Sequence, residues 1–253
     1  MKVLILAGGY GTRLSELTST MPKPLVDVNG KPLLLYIMEH YARHGFNDFI
    51  IACGYRGEKI REYFSKNFSM DRSSEHGAED APITFTNSNG PKWRVTLVDT
   101  GLDTLTGGRI KRCAKYLDGD EFMYTYGDGV SDVDLKKLLE FHHRYGQMAT
   151  ICAVRMPRFG VVQLDNAGKV TSFQEKRLEH SPLINGGFMV LNKSVLDYIE
   201  GDKTAFETTP MQILSEKGEL YAYRHDGFWK CVDSLRDKME LEEILKDGSP
   251  WKD

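Results

Sequence analysis

The most informative absences in this sequence concern cysteine pairs and long apolar runs. The four cysteines lie far apart without a C-x-x-C spacing, at Cys53, Cys113, Cys152 and Cys231. This pattern is not that of a zinc site or a disulfide framework, and it predicts reduced thiols in a cytoplasmic protein. No apolar run approaches the length of a membrane span, and the run after Lys2 ends at Gly8, which is too short for the apolar core of a signal peptide.

Strong net charge is also missing. The chain has 253 residues and a formal net charge of −3. Such a balance gives no general electrostatic case for a nucleic acid or membrane partner, so an anionic ligand would have to be held by local cations. The hydrophobic fraction of 41% suffices for a sizeable core, and no repeat or linker divides the chain. We therefore expect a single domain over residues 1–253.

Two common phosphate-binding motifs are incomplete in the first glycine-rich loop. Gly9 and Gly11 begin a dinucleotide fingerprint, but Leu14 stands where its third glycine belongs, and the Gly-Lys-Ser/Thr end of a P-loop is absent. What is present is an apolar run at 3–6, four residues rich in glycine, and then Arg13. Glycines let backbone N–H groups approach a ligand closely, and arginine matches phosphate oxygens with a planar fork of donors. With Lys23 held between two prolines, this stretch predicts a polyphosphate site; a plain turn with surface cations is the alternative.

A second glycine-rich stretch, residues 100–108, leads into a predicted helix at 110–117. Arg109 falls in the first turn of this helix, where a cation opposes the helix dipole. An anionic ligand nearby would remove that conflict, because helix N-termini favour phosphate. An ordinary capped helix with an exposed arginine is the alternative.

The sequence singles out two aspartates, of which Asp128 is a candidate metal ligand. Asp128 stands between glycines at the end of a predicted strand at 121–126, and Mg²⁺ favours one or two carboxylates together with phosphate oxygens. A strand-end turn is the alternative for Asp128. Asp233 precedes Ser234 and the predicted last helix at 235–245, so either residue is a candidate helix cap.

The order of predicted elements indicates an α/β fold. Strands at 3–6 and 48–52 alternate with helices at 32–43 and 58–68, which predicts a parallel sheet covered on both faces. A β-hairpin predicted at 161–164 and 170–173 then changes the pattern. Near it lie side chains and glycines suited to a polyol phosphate, with a surface ion pair and turn as the alternative: Glu175, Lys176, Asn185 and Gly186.

The motif Leu-Ala-Gly-Gly-x-Gly-Thr-Arg-Leu at 6–14, followed by Pro-Lys-Pro at 22–24, resembles the signature of the sugar-1-phosphate nucleotidylyltransferases. The resemblance extends over nearly the whole chain. It implies a Rossmann-like mixed, mostly parallel sheet flanked by helices, with a smaller β-rich sugar-binding lobe. Residues 1–155 would form the nucleotide-binding part, and 156–253 the sugar-binding part and C-terminal helix.

The resemblance also implies substrates and roles. CTP and glucose 1-phosphate are the expected substrates, with dTTP or UTP as alternatives to CTP. A homo-oligomer is also expected, with the 69–92 loop as a candidate contact between subunits. Mg²⁺ would bind Asp128 and Asp233, and Arg13, Lys23 and Lys176 would be catalytic. A domain that binds nucleotide sugars without catalysis is disfavoured, because these cations and acids are present. Nucleotide contacts are expected from Leu6, Ala7, Gly8, Gly9, Tyr10, Gly11, Thr12, Arg13, Lys23, Thr104, Gly108, Arg109 and Asp128.

The sugar-phosphate contacts are expected from Glu175, Lys176, Asn185 and Gly186, a segment similar to the family's Phe-x-Glu-Lys and Asn-Gly-Gly pattern. Arg177 departs from that pattern, because many relatives have proline after the lysine. The path of the chain beyond Lys176 is therefore left open.

Overall fold

The computed structural model describes residues 1–70, 83–86, 92–156, 161–174 and 181–250. The strands are β1 Val3–Ala7, β2 Asp27–Val28, β3 Lys31–Pro32, β4 Asp48–Cys53, β5 Ser69–Met70, β6 Ile83–Thr86, β7 Arg94–Asp99, β8 Glu121–Tyr126, β9 Gly129–Ser131, β10 Ala149–Arg155, β11 Val161–Leu164, β12 Val170–Gln174, β13 Leu183–Asn192, β14 Leu220–His225 and β15 Trp229–Cys231. The helices are α1 Ser15–Thr18, α2 Leu33–Arg43, α3 Gly57–Asn67, α4 Thr106–Cys113, α5 Leu135–Tyr145, α6 Thr209–Glu216 and α7 Leu235–Ile244. Short 3₁₀ helices include Lys23–Leu25 and Lys193–Tyr198.

One large sheet organises the described part of the chain. Its strand order is β14-β10-β13-β8-β1-β4-β7-β6-β5. The central strands β8, β1, β4 and β7 pair in parallel. Strand β13 runs antiparallel between β8 and β10, and β14 pairs in parallel with β10. The sheet is therefore mixed and mostly parallel, and β13 and β14 from the predicted sugar-binding part belong to it.

Both faces of the sheet are covered, as the alternation of strands and helices predicts. In β1, Val3 and Ile5 pack in the core on one face, whereas Leu4 and Leu6 pack on the other. Helices α2, α3 and α5 contribute to the first core, and α4 and α6 contribute to the second. Because every residue of β1 is buried, the strand is apolar throughout instead of alternating, as is usual for a central parallel strand.

In the described ranges, three small antiparallel pairs lie outside the large sheet, namely β2 with β3, β9 with β15 and β11 with β12. Strands β2 and β3 form a hairpin through Asn29 and Gly30, both with positive φ. Strand β9, which directly follows Asp128, pairs with β15, which ends two residues before Asp233. The second pairing joins residues about one hundred positions apart and fixes where both aspartates stand.

Most predicted elements are confirmed with shifts of one or two residues. The hairpin of β11 and β12 is present, and Ser234 caps α7 by accepting from the Asp237 N–H. Two predicted helices were wrong in detail: α4 begins at Thr106 instead of residue 110, and the predicted helix after residue 193 is a 3₁₀ helix. Within the described residues no helix has the length and apolar character needed to cross a bilayer.

Candidate active site

A cavity of about 540 Å³ opens at the carboxyl ends of β1 and β8. Ligands of open α/β sheets bind at this position, outside the carboxyl ends of the strands. Its walls come from the first glycine-rich loop, the loop before α4, and the end of β8. The predicted nucleotide contacts that line it are Leu6, Ala7, Gly8, Gly9, Tyr10, Gly11, Thr12, Arg13, Lys23, Thr104, Arg109 and Asp128.

Four of the predicted charged residues meet beside this cavity. The Lys23 ammonium donates to Asp128 Oδ2 at 2.8 Å and to Asp233 Oδ1 at 2.7 Å. Arg13 donates to Asp233 Oδ2 at 2.8 Å. We call Arg13, Lys23, Asp128 and Asp233 the charged cluster. Its members come from segments up to 220 positions apart, so only the fold brings them together.

The local structure explains why these side chains converge. Pro22 and Pro24 flank Lys23 in a 3₁₀ turn, which fixes the backbone from which the lysine extends. The Val232 N–H donates to the Asp128 carbonyl at 2.9 Å, which continues the β9–β15 pairing up to the two aspartates. Because Ser234 caps α7, the carboxylate of Asp233 remains available for the cations.

The charged cluster is partly buried and electrostatically matched. The side chains of Lys23 and Asp233 are only 11% and 10% exposed, whereas that of Arg13 is 70% exposed. Burial alone would lower the pKa of Lys23, but Asp128 and Asp233 outweigh it and raise that pKa. Burial alone would raise the pKa of Asp233, but hydrogen bonding and charge from Lys23, with Arg13, hold it below its ordinary value. Lys23 and Asp233 are therefore both charged near neutral pH.

Arg109 lines the cavity but is bonded mainly to the loops around it. It is 4% exposed, and its two terminal nitrogens donate to the carbonyl oxygens of Cys53, Gly101, Gly8 and Leu102 and to the Thr100 hydroxyl. These acceptors lie at or just beyond the carboxyl ends of β1, β4 and β7. Arg109 therefore joins three neighbouring loops beneath the cavity, and its role as a nucleotide contact stays a prediction.

Two glycines make room for this buried guanidinium. A Cβ placed on Gly8 would lie 2.2 Å from an Arg109 terminal nitrogen, and one on Gly54 would lie 2.3 Å from the same atom. Both distances are far below van der Waals contact. A side chain at position 8 would therefore displace the Arg109 guanidinium, whether or not the Gly8 backbone also contacts a ligand.

Asn185 is a predicted sugar-phosphate contact. It bonds to Tyr126, a residue that lines the cavity. The Asn185 amide donates to the Tyr126 hydroxyl at 3.3 Å, and its carbonyl oxygen accepts from the Gly187 N–H at 2.9 Å. The Tyr126 hydroxyl donates to Glu207 at 2.7 Å. Burial raises the pKa of Tyr126, so this hydroxyl keeps its proton. The Glu207 carboxylate also accepts from Thr106 at the start of α4, at 2.5 Å.

Some predicted residues lie elsewhere. Gly108 does not line the cavity, because it packs against the backbone of Asp202, whose Cα would lie 2.5 Å from a Cβ added at position 108. Gly186 also does not line the cavity, and its carbonyl oxygen accepts a hydrogen bond from the Trp229 indole at 2.7 Å. Glu175, Lys176 and Arg177 lie outside the described residues, and so does most of the 69–92 loop.

Sequence reasoning missed Tyr126, Glu207 and the Tyr10–Asp103 bond. Tyr126 lines the cavity, and the signal for it was its position directly before Gly127 and Asp128. Tyr10 donates to Asp103 at 2.9 Å, which ties the first glycine-rich loop to the loop before α4. Glu207 has no local sequence signal, because a long-range contact places it.

The charged cluster fits a divalent cation. Within the described residues no group of three or more His, Cys, Asp or Glu side chains converges as a metal site would. Two carboxylates nevertheless converge on one positive charge, the Lys23 ammonium. Mg²⁺ commonly uses only one or two carboxylates and takes its remaining ligands from phosphate and water, so this donor set is suitable.

Comparison with known proteins identifies the family. A family model described as nucleotidyl transferase matches residues 2–248. The chain belongs to the nucleotidyl transferase family. The matched region includes both aspartates and both cations of the charged cluster.

Relatives within this family are similar over the full chain. The glucose-1-phosphate cytidylyltransferase of Salmonella typhimurium is 50% identical over 256 residues, which cover 100% of this chain and 99% of that protein. A probable glucose-1-phosphate cytidylyltransferase of Bacillus subtilis is 38% identical, covering 100% and 99%.

A solved structure shares the fold of this chain. HddC from Yersinia pseudotuberculosis, complexed with GMP-PN, aligns with a TM-score of 0.71 at 25% identity, covering 96% of this chain and 99% of HddC.

Proposed function

We propose that this chain is a glucose-1-phosphate cytidylyltransferase, which joins CTP and glucose 1-phosphate to give CDP-glucose and pyrophosphate. Full-length identity of 50% to an enzyme of that name supports the choice of base and sugar. Family membership supports the reaction class. The choice of CTP over dTTP or UTP rests on the relatives and not on a single residue.

The observation that carries the proposal is the charged cluster beside the cavity. A reaction between two phosphate groups needs positive charge and accurate placement more than it needs a proton acceptor. Arg13 and Lys23 supply the charge at the cavity wall, where they donate hydrogen bonds to Asp128 and Asp233.

The chemistry proposed is an in-line displacement at the α-phosphorus of the nucleotide. A phosphate oxygen of the sugar phosphate forms the new bond, and the bond from the α-phosphorus to the bridging oxygen of pyrophosphate breaks. The attacking oxygen is already an anion at neutral pH, so no general base is required. This agrees with a sequence that shows no Ser-His-Asp or Cys-His constellation. Arg13 and Lys23 stabilise charge on the triphosphate.

Asp128 and Asp233 would hold Mg²⁺, which when bound neutralises phosphate charge. Both carboxylates also accept hydrogen bonds from Lys23, which lines the cavity. Asp233 also positions the exposed Arg13 side chain, which would otherwise be free to sample many conformations.

We assign residues 1–155 to the nucleotide and 156–253 to the sugar phosphate, with Glu175, Lys176, Asn185 and Gly186 as sugar-phosphate contacts. The hydrogen bond between Asn185 and Tyr126 supports this, because it sets a residue of the second part at the cavity edge. A homo-oligomer and a cytoplasmic location stay predictions.

The reaction is tested by measuring pyrophosphate release with each of CTP, dTTP, UTP and GTP, against several sugar 1-phosphates, with and without Mg²⁺. We expect the highest kcat/KM for CTP with glucose 1-phosphate and a loss of activity when the metal is chelated. A preference for another base would keep the reaction class and correct the substrate. No pyrophosphate release with any pair would contradict the proposal.

The sugar assignment is tested with Lys176→Ala. Removing this ammonium should raise the KM for the sugar 1-phosphate or lower kcat, while nucleotide binding, measured by calorimetry, stays close to that of the unmodified chain. Lys169→Ala is the matched control, because Lys169 is exposed in the turn of the β11–β12 hairpin. A collapse of nucleotide binding in Lys176→Ala would show that the two parts are assigned wrongly.

A further inference from the structure

We propose that Lys23 is an internal cation that competes with the divalent metal for Asp128 and Asp233 and moves to the nucleotide phosphates when the metal binds. This proposal rests on the proposed function and adds an order to its binding steps. It follows from the double contact of Lys23, whose one ammonium is bonded to both candidate metal ligands.

The geometry puts the ammonium where a shared metal would bind. Lys23 Nζ lies 2.8 Å from Asp128 Oδ2 and 2.7 Å from Asp233 Oδ1. Mg²⁺ binds carboxylate oxygens at about 2.0–2.1 Å, so a cation held by these same two oxygens would occupy the space that the ammonium fills. The two positive charges would also repel each other in a site where Lys23 and Asp233 are largely shielded from water.

Lys23 can leave this position without a change of backbone. Its backbone is fixed by Pro22, Pro24 and the 3₁₀ turn, but its four-carbon side chain rotates. Lys23 also lines the cavity proposed for the nucleotide. Rotation within that cavity would exchange carboxylate partners for phosphate partners.

Arg13 is the natural comparison, because it contacts the same carboxylate differently. It binds Asp233 Oδ2, whereas Lys23 binds Oδ1 of that residue and also Asp128. Among the described residues, Lys23 is thus the cation that bridges both aspartates. Removal of Lys23 should free the pair for a metal, and removal of Arg13 should not.

A binding order follows from this competition. With no phosphate to receive Lys23, the metal must displace an ion pair and binds weakly. The nucleotide offers Lys23 new anionic partners, so nucleotide and metal strengthen each other's binding. Coupling between binding sites is reciprocal and typically amounts to about 5–150-fold.

The test measures Mn²⁺ binding by electron paramagnetic resonance, with no substrate present, in the unmodified chain, Lys23→Met and Arg13→Met. We expect Lys23→Met to bind Mn²⁺ about tenfold more tightly than the unmodified chain, within the usual range of coupling, and Arg13→Met not to. Equal or weaker Mn²⁺ binding by a folded Lys23→Met would overturn the proposal.

A second measurement uses the unmodified chain, so it does not depend on the folding of a variant. The rate at which an amine-reactive reagent labels Lys23 is followed by mass spectrometry as Mg²⁺ is added. Labelling should rise several-fold, because the displaced ammonium leaves its carboxylates, whereas labelling of exposed Lys169 should not change. Unchanged labelling of Lys23 at metal concentrations that saturate the site would overturn the proposal.

These readouts are independent of the reaction. If CDP-glucose forms but neither Mn²⁺ affinity nor labelling responds as stated, the competition fails and the proposed function stands. If the competition is observed but no sugar nucleotide forms, the proposed function fails instead.

Discussion

Among single residues, Gly8 and Arg109 show how packing and ligand binding can require the same glycine. Sequence reasoning treated Gly8 as a site where backbone approaches phosphate. In the structure its missing Cβ also admits the guanidinium of Arg109, which is bonded to carbonyls at the carboxyl ends of three parallel strands. No local pattern predicts this, because the acceptors come from distant positions.

We expect Gly8→Ala to destabilise the protein. The new Cβ would lie 2.2 Å from Arg109, a buried group fixed by several hydrogen bonds that cannot move without losing some of them. Hydrogen bonds of a charged group are worth about 1.5–3 kcal/mol each, so the free energy of unfolding should fall by about 2 kcal/mol. Urea denaturation measures this change.

Gly9→Ala is the matched control for that experiment. A Cβ added at Gly9 would meet nothing within 4 Å, so the stability of this variant should stay near that of the unmodified chain. Equal urea midpoints for the two alanine variants would show that Arg109 yields easily and that the packing argument for Gly8 is wrong.

The predictable residues of the site were those that combine a charge with a distinctive local context. Lys23 stands between prolines, Asp128 between glycines, and Asp233 before a capping serine. The structure brings these three together. It also shows what context alone did not give, namely that Lys23 bonds to both aspartates.

Among the secondary-structure elements, α4 begins earlier than its local composition predicts. Gly107 and Gly108 indicated a loop, but both lie inside the helix. Cβ atoms added at these two positions would lie 2.7 Å from the Thr204 carbonyl oxygen and 2.5 Å from the Asp202 Cα, so the glycines allow α4 to pack closely on the segment before α6. Tertiary packing therefore overrides the weak helix propensity of glycine.

The end of β8 links α4 to β13 through Tyr126, and Tyr126→Phe tests that link. Loss of the hydroxyl removes the partner of the Asn185 amide, so the KM for the sugar 1-phosphate should rise about tenfold, equivalent to one hydrogen bond of about 1.4 kcal/mol. The KM for the nucleotide should change less than about twofold. Steady-state kinetics with each substrate varied in turn measures both values.

Glu207→Gln and Tyr145→Phe control that experiment. Glutamine keeps an acceptor for the Tyr126 hydroxyl, so its effect should be milder. Tyr145 is exposed and stacks on Tyr221, so its hydroxyl should not matter for either KM. If Tyr126→Phe raised only the KM for the nucleotide, Asn185 and Tyr126 would not belong to the sugar-phosphate site.

For the whole molecule, the sequence predicted an α/β layering but not the order of the strands. Hydrophobic periodicity and the turn residues between the apolar runs predicted the positions of β8, β10 and β13. That β13 runs antiparallel between the other two depends on pairings across about thirty positions or more, which no local pattern records. The same limit applies to the β9–β15 pairing that brings Asp128 beside Asp233.

A buried histidine gives the whole fold an acid-sensitive stability. His40 in α2 bonds to the Val133 carbonyl, and burial lowers its pKa to about 3. Its neighbours His44, Arg43 and His225 act in the same direction. Below the ordinary histidine pKa of about 6.5, the unfolded chain takes up a proton that the folded chain does not.

Stability should therefore be lost as pH falls from about 6.5 toward 3, with His40 contributing about 2 kcal/mol of loss by pH 5. Urea denaturation at several pH values gives the slope. His40→Gln, which keeps a donor for the Val133 carbonyl, should reduce the slope of stability against pH by the equivalent of about one proton. Identical slopes for His40→Gln and the unmodified chain would contradict the assignment.

The most direct test of the central claim is the rate of CDP-glucose formation from CTP, glucose 1-phosphate and Mg²⁺ by Asp233→Asn. Asp226→Asn, an exposed aspartate paired only with Arg224 in the described part of the chain, is the control, and thermal unfolding checks that both variants are folded. We predict that the unmodified chain and Asp226→Asn form CDP-glucose at similar rates, and that Asp233→Asn is slower by about 100-fold or more. A folded Asp233→Asn that works at the unmodified rate would contradict the account.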